Sequence, residues 1–425
     1  MKNHITKLFS IVICLIFVRS AAAQDWPAPF NPFQVLTLNL EMGPADWDTI
    51  RHDLSNEIEV PAQFWADGDT TKLLVSVRRK SSRALPSEGN PIKIGMKVDI
   101  NEFVNQRWRN LTKLSLENGA DTDPISEGFA WNLHEMATGP GLYPAGHHAG
   151  LAAWARVIVN GEYVGLYINV EERDSQFLRN RSLPRGTQDG ARVSWLYEID
   201  DLGAGAFALE DGDLPHGPTW SNLCYSPFFV GTKQNSGCPV PSDQALETQL
   251  NELIDMPIML TQGAVDAFSS NRDALFTHGK NFRFIDFNTA LEINQGRKRL
   301  YLMWDLDGAI TDVQANIYAQ KSRKGFNQTE YQRVILNHPT FRAQYNAILT
   351  ALLDPLTGPL SETALHSFLN AVEAAVTPAL IEDPYAGFAS VAAAGDLFNG
   401  LRGWTTDRIA VVQSQILANQ PPPRQ

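Results

Sequence analysis

The chain has 425 residues, with 35 Lys and Arg against 47 Asp and Glu and a formal net charge of −12. That acidic balance, without a local basic cluster, argues against a nucleic-acid partner. The length allows a large core in two lobes or domains.

Residues 1–23 read as a secretory signal peptide. Lys2 and Lys7 precede an apolar run over 8–18, and Ala21, Ala22 and Ala23 supply the small residues of a cleavage site. The run of about eleven residues is shorter than the roughly 20 that span a bilayer, and no later segment reaches that length free of charges. The expectation is a soluble exported chain with no transmembrane segment in its mature form, secreted to the medium, periplasm or cell envelope. Without the leader, 32 basic residues face 47 acidic ones, a net charge near −15. Cys14 leaves with the leader, and Cys224 and Cys238 are expected to form a disulfide across a loop.

From 34 to 113 the pattern is mostly strand-like, in QVLTLNLEM, KLLVSVRRKSS and PIKIGMKVDIN. In the last of these Ile92, Ile94, Met96, Val98 and Ile100 share one face, leaving Lys93, Lys97 and Asp99 on the other. SEGFAWNLHEMA, 126–137, reads as a helix with Ser126 as N-cap. ARVIVNGEYVGLYINVEE holds two strand runs about Asn160-Gly161, the pattern of a tight hairpin. Residues 200–244 are rich in Gly, Pro, Asp and Ser and read as a long loop or insertion. A helical pattern over 245–267 leads to SSNRDALFTHGKNFRF, read as a short hairpin, and then to RLYLMWDLDGAIT. After Tyr318 the chain reads as helices. A β-rich first half before a helical second half predicts an α+β fold.

WDLDGAIT raises the possibility of an aspartyl nucleophile of the haloacid-dehalogenase type, but the amphipathic helices that follow leave no further βα units for that fold. His134 opens HEMAT, which lacks the second histidine of a zincin helix, and no nucleophile elbow or P-loop occurs. What remains is a dispersed polar set: Lys93 and Lys97, Glu127, Glu171 and Glu172, then Asp273, His278, Lys280 and Asn281, and finally Asp305 and Asp307. Phosphoryl transfer needs such parts, a lysine on the phosphates, carboxylates and an Asn on magnesium, and an Asp at the acceptor hydroxyl.

The order of VSVRRKSS, KIGMKVDIN, WARVIVNGEYVGLYINVEERDSQFL, NRDALFTHGKNFRF, LYLMWDLDGAI and the C-terminal helices resembles the spore coat protein H (CotH) kinase-like family of secreted atypical kinases. The resemblance covers about 35–417. It implies a protein-kinase-like two-lobed domain over 30–420: a β-rich N-terminal lobe at about 30–199, a loop or insertion at 200–244 and a helical C-terminal lobe at 245–420. It implies ATP with Mg2+ or Mn2+, and Ser or Thr of an exported protein as acceptor. Asp273 would be the catalytic-loop aspartate, with Asn281 on the magnesium side. Asp305 would bind metal with Asp307 assisting, and Lys93, then Lys97, would contact phosphate, with Glu171 and Lys280 also at the nucleotide. Ser81 stands where the family usually has Gly, and Met303 where Pro often precedes Trp-Asp. Two alternatives stay open: a catalytically silent member that binds a surface or matrix partner, and a hydrolase or transferase using Asp305 and Asp307 as a metal pair.

Overall fold

The computed structural model describes residues 28–80, 92–119, 123–138, 149–201, 206–209, 243–277, 280–318, 335–388 and 390–419. The leader, both later cysteines and His278 lie outside them, as does the side chain of Lys280.

The first half is built on strands. β1 (Leu36–Glu41) leads through α1 (Pro44–His52) to β2 (Glu59–Ala66), β3 (Leu73–Arg79), β4 (Met96–Asp99) and β5 (Lys113–Glu117). α2 (Pro124–Thr138) then precedes the hairpin of β6 (Ala152–Val159) and β7 (Glu162–Val170). These seven strands close into a barrel in the order β1-β2-β3-β4-β5-β7-β6, sealed by parallel pairing of β6 with β1. Closure removes free sheet edges. Alternation fills the inside with Leu38, Leu40, Val75, Val77, Met96, Val98, Leu114 and Leu116.

β7 buries both faces. Tyr167 points into the barrel, while Leu166, Ile168 and Val170 join a second, larger core outside it. This accounts for the near-continuous apolar run of LYINV. The hairpin turns on Asn160 and Gly161, with φ of 53° and 85°, the pair of positive angles a two-residue type I′ turn demands.

After the hairpin come α3 (Ser175–Asn180), a ribbon of β8 (Thr187–Gln188) and β9 (Ala191–Arg192), β10 (Ser194–Asp201) and β11 (Ala206–Leu209). α4 (Asp243–Leu253) and α5 (Met256–Phe268) precede β12 (Lys280–Phe287) and β13 (Leu300–Met303), and the chain ends in α6 (Pro339–Leu352), α7 (Glu362–Glu382) and α8 (Val391–Ala418). β11, β10, β12 and β13 form an antiparallel sheet. Thus 269–284 is a turn followed by one strand, and that strand's partners are β10 and β13. The second half is not purely helical, because this sheet sits within it. One face, with Tyr197, Phe284, Tyr301 and Met303, enters the larger core beside α2 and α5; the other, with Leu196, Ile285, Leu300 and Leu302, packs on α3. The mixture is α+β, as the sequence pattern indicates.

α2 begins two residues earlier than expected. Asp123, rather than Ser126, caps it, accepting from the amides of Ile125 and Ser126 at 2.8 Å each. α7 is long and apolar enough to cross a bilayer by length and composition, although it carries Glu373 near its middle. Its apolar face, Leu365, Phe368, Leu369, Val372, Val376 and Leu380, packs into the core, and α7 lies against α8.

Candidate functional site

The site lies where the outer face of the barrel meets the end of the β12–β13 pair. Strand register explains the placement. Lys97 on β4 stands opposite Arg78 of β3 and Ser115 of β5, all on the outside of the barrel. Lys80, two residues beyond Arg78, shares that outward parity. Its ammonium donates to Ser115 Oγ at 2.7 Å, pairs with Glu117 and lies 4.8 Å from the centre of the Trp304 ring. Burial pushes the Lys80 pKa down to about 8 against the opposing pull of Glu172, Asp305 and Glu127.

Trp304 directly follows β13 and introduces the acidic turn. Its amide donates to Asn281 O at 3.1 Å, extending the β12–β13 ladder by one step. There the backbone turns left-handed on both sides, with φ of 52° at Asn281 and 54° at Asp305. Asn and Asp tolerate this region better than other side chains. The turn brings Asn281 Nδ2 to 3.1 Å from Asp305 Oδ2, so the amide and carboxylate share one locus.

Facing this turn is Glu127, in the first turn of α2 and 5% exposed. Burial, then the charges of Asp305 and Asp307, push its pKa up to about 8, while Lys80 opposes the rise. Glu127, Asp305, Asp307 and Lys80 therefore share one electrostatic neighbourhood. Close approach of α2 depends on Gly128, where a Cβ would come within 2.6 Å of the buried Trp154 ring.

Asp273 sits in the turn after α5. Buried Asn271 donates to Asp266 Oδ1 and accepts from the Asp273 amide, each at 3.1 Å. This turn lies against the acidic one: the Arg272 amide is 3.4 Å from Gly308 O, and Ile310 donates to Ser269 O at 2.6 Å. The two aspartate-bearing turns are thus adjacent.

Glu172 joins the barrel to the lower sheet, with Lys97 of β4 at 3.4 Å and Arg283 of β12 at 3.3 Å. Burial favours protonation, but Arg283, Lys97, Lys80 and Arg173 outweigh it and hold the carboxyl down to about 2. Arg283 and Arg173 also stack against Trp304, at 3.9 and 5.1 Å from its ring centre. Gly150 makes room for the Arg173 guanidinium, which a Cβ there would overlap.

Other expected site residues are engaged elsewhere. Lys93 is held by Asp383 at 2.9 Å, at the C-terminal end of α7, and by Leu166 O. Asp383 also accepts from the Leu166 amide at 2.7 Å, so this pair fastens the barrel to α7. Glu171 accepts both arms of Arg181, at 2.8 and 2.7 Å, and the Leu151 amide at 3.2 Å. Both therefore serve as structural ion-pair partners in this arrangement. Lys80, which the sequence did not single out, lies in the field of Asp305 and pairs with Glu117. The available clue was parity, since Lys80 continues the outward row of Ser76 and Arg78.

Among the described residues, no group of three or more His, Cys, Asp or Glu is arranged as a metal cage. The donor chemistry still fits a hard cation. Carboxylates of Asp305 and Asp307 and the amide oxygen of Asn281 are donors suited to magnesium, and these two carboxylates, after burial, raise the Glu127 pKa.

The fold and site define a mixed α+β protein that sets a half-buried lysine beside an acidic turn at a barrel–sheet junction, with a second aspartate-bearing turn adjacent. The family model described as CotH kinase protein matches residues 76–412, and the chain belongs to that family. No curated protein matches the chain.

Proposed function

We propose that the chain is a secreted atypical kinase that transfers the γ-phosphate of ATP to Ser or Thr hydroxyls of exported proteins. In this reading the barrel is the N-terminal lobe, and the antiparallel sheet with α4 to α8 the C-terminal lobe. The observation that carries it is Lys80, a half-buried ammonium beside Trp304 and in the field of Glu172, Asp305 and Glu127.

Lys80 is the phosphate-contacting lysine, in place of Lys93, with Glu117 as its direct ion-pair partner and Glu127 on α2 adding negative field in the manner of the kinase lysine–glutamate pair. Asp305 and Asp307, with Asn281, would hold magnesium, which supplies charge neutralisation along the phosphates. Asp273 orients the acceptor hydroxyl and takes its proton as the oxygen attacks the γ-phosphorus and ADP leaves. Asn271 fixes the backbone that presents Asp273. Lys97 and Arg283 share the single carboxylate of Glu172, so the cluster keeps net positive charge, and Arg283 stacks on Trp304.

Nucleotide binding tests the reading directly. ATP with magnesium is expected to raise the melting temperature of the parent protein, with a much smaller rise for Lys80→Met. No shift for the parent with either magnesium or manganese would set the kinase reading aside in favour of a silent, partner-binding member.

A further inference from the structure

One buried arginine bonds to both segments that carry the acidic turns. Arg408 lies on α8 and is fully buried. Its guanidinium donates to Ala267 O and Phe268 O, the last carbonyls of α5, at 2.5 and 3.0 Å. It also donates to Val313 O and Ala315 O at 2.8 and 2.7 Å. The first pair of carbonyls immediately precedes the Asp273 turn, and the second immediately follows the Asp305–Asp307 turn. Between them, Ser270 Oγ accepts from the Thr311 and Asp312 amides at 3.1 Å each. Further along α8, Gln415 accepts from the Ile317 amide at 2.8 Å.

Carbonyls at a helix C-terminus have no intrahelical partner, and a planar guanidinium offers five donors in a fixed fork. Four of its bonds here end on two chain segments, 267–268 and 313–315, that flank the two turns. We infer that Arg408 is a positioning residue that holds the Asp273 turn and the Asp305–Asp307 turn in one fixed relation. Its consequence for phosphoryl transfer rests on the proposed function; the clamp itself rests on the hydrogen bonds alone. Arg408 touches no reacting atom and acts through the backbone of the two turns.

The test uses the full chain with Arg408→Met, and Arg408→Lys as a milder change. Amide hydrogen exchange is followed over 269–273, 310–317 and the barrel strands. Arg408→Met is expected to raise exchange in both turn segments together, by about tenfold or more, while the barrel stays at parental protection. Lysine cannot reproduce the fork, so Arg408→Lys is expected to expose at least one of the two segments. It carries the test if the Met variant does not fold. In transfer assays at saturating ATP, Arg408→Met should lose rate by up to about 100-fold with nucleotide affinity kept. Unchanged exchange in both segments, or a rise spread evenly over the barrel, overturns the clamp. A parent that transfers no phosphate refutes the kinase reading, and the exchange result still decides the clamp.

Discussion

Lys80 and Lys93 carry the same charge, and burial lowers both pKa values, yet their surroundings assign them different work. Lys93 is closed into a pair with a fully buried Asp383, so Lys93→Met strands a carboxylate in the interior. Loss of one partner of a buried pair costs about 3–5 kcal/mol, and urea unfolding should show that loss. Nucleotide affinity of the folded fraction should stay at the parental value. Glu172 gives a pH-dependent counterpart. Its folded pKa, about 2, lies below the ordinary carboxyl value of 4.5, so its contribution is present above pH 4.5 and is lost as pH falls toward 2. The full contribution is on the order of 3 kcal/mol. Unfolding free energies measured between pH 6 and 2.5 should therefore fall more steeply for the parent than for Glu172→Gln. Neither pairing could be read from sequence, because Lys93 and Asp383 lie 290 positions apart and nothing local marks them as partners.

At the scale of elements, local chemistry was legible where turns and periodicity decide the outcome. Asn160-Gly161 specified its hairpin, and the three C-terminal helices follow their apolar stripes. The β10–β12–β13 sheet was not legible as a sheet. β10 and β12 are separated by a long stretch of chain, and antiparallel pairing across it leaves no signature in any one segment. α2 shows how packing overrides propensity. Alanine favours helix over glycine by about 1 kcal/mol, so Gly128→Ala should stabilise an isolated α2. In the protein the added methyl meets the buried Trp154 ring, which is anchored through its indole N–H to Pro124 O at 2.8 Å. The expected net effect is destabilisation by about 1–3 kcal/mol, measured by denaturant unfolding. A gain in stability would mean that α2 moves off the barrel without cost and that Glu127 is less firmly placed than described.

For the molecule as a whole, the acidic turn and the Asp273 turn were both found in sequence, and the fold brings them side by side. The lysine was not found. Lys80 lies just past the end of β3, where strand alternation says only which way it points. Its importance comes from Trp304, Glu127 and Glu172, which arrive from three different elements. The central claim is that these elements assemble a nucleotide phosphate site around Lys80 and Asp305. Transfer of label from γ-labelled ATP, in the presence of magnesium, tests it most directly on the parent, Lys80→Met, Asp305→Ala and Lys93→Met. The account predicts labelling of the parent, retention in the folded fraction of Lys93→Met, and losses of about 100-fold or more in Lys80→Met and Asp305→Ala. Parental labelling in either of the last two, or none in the parent, would contradict it.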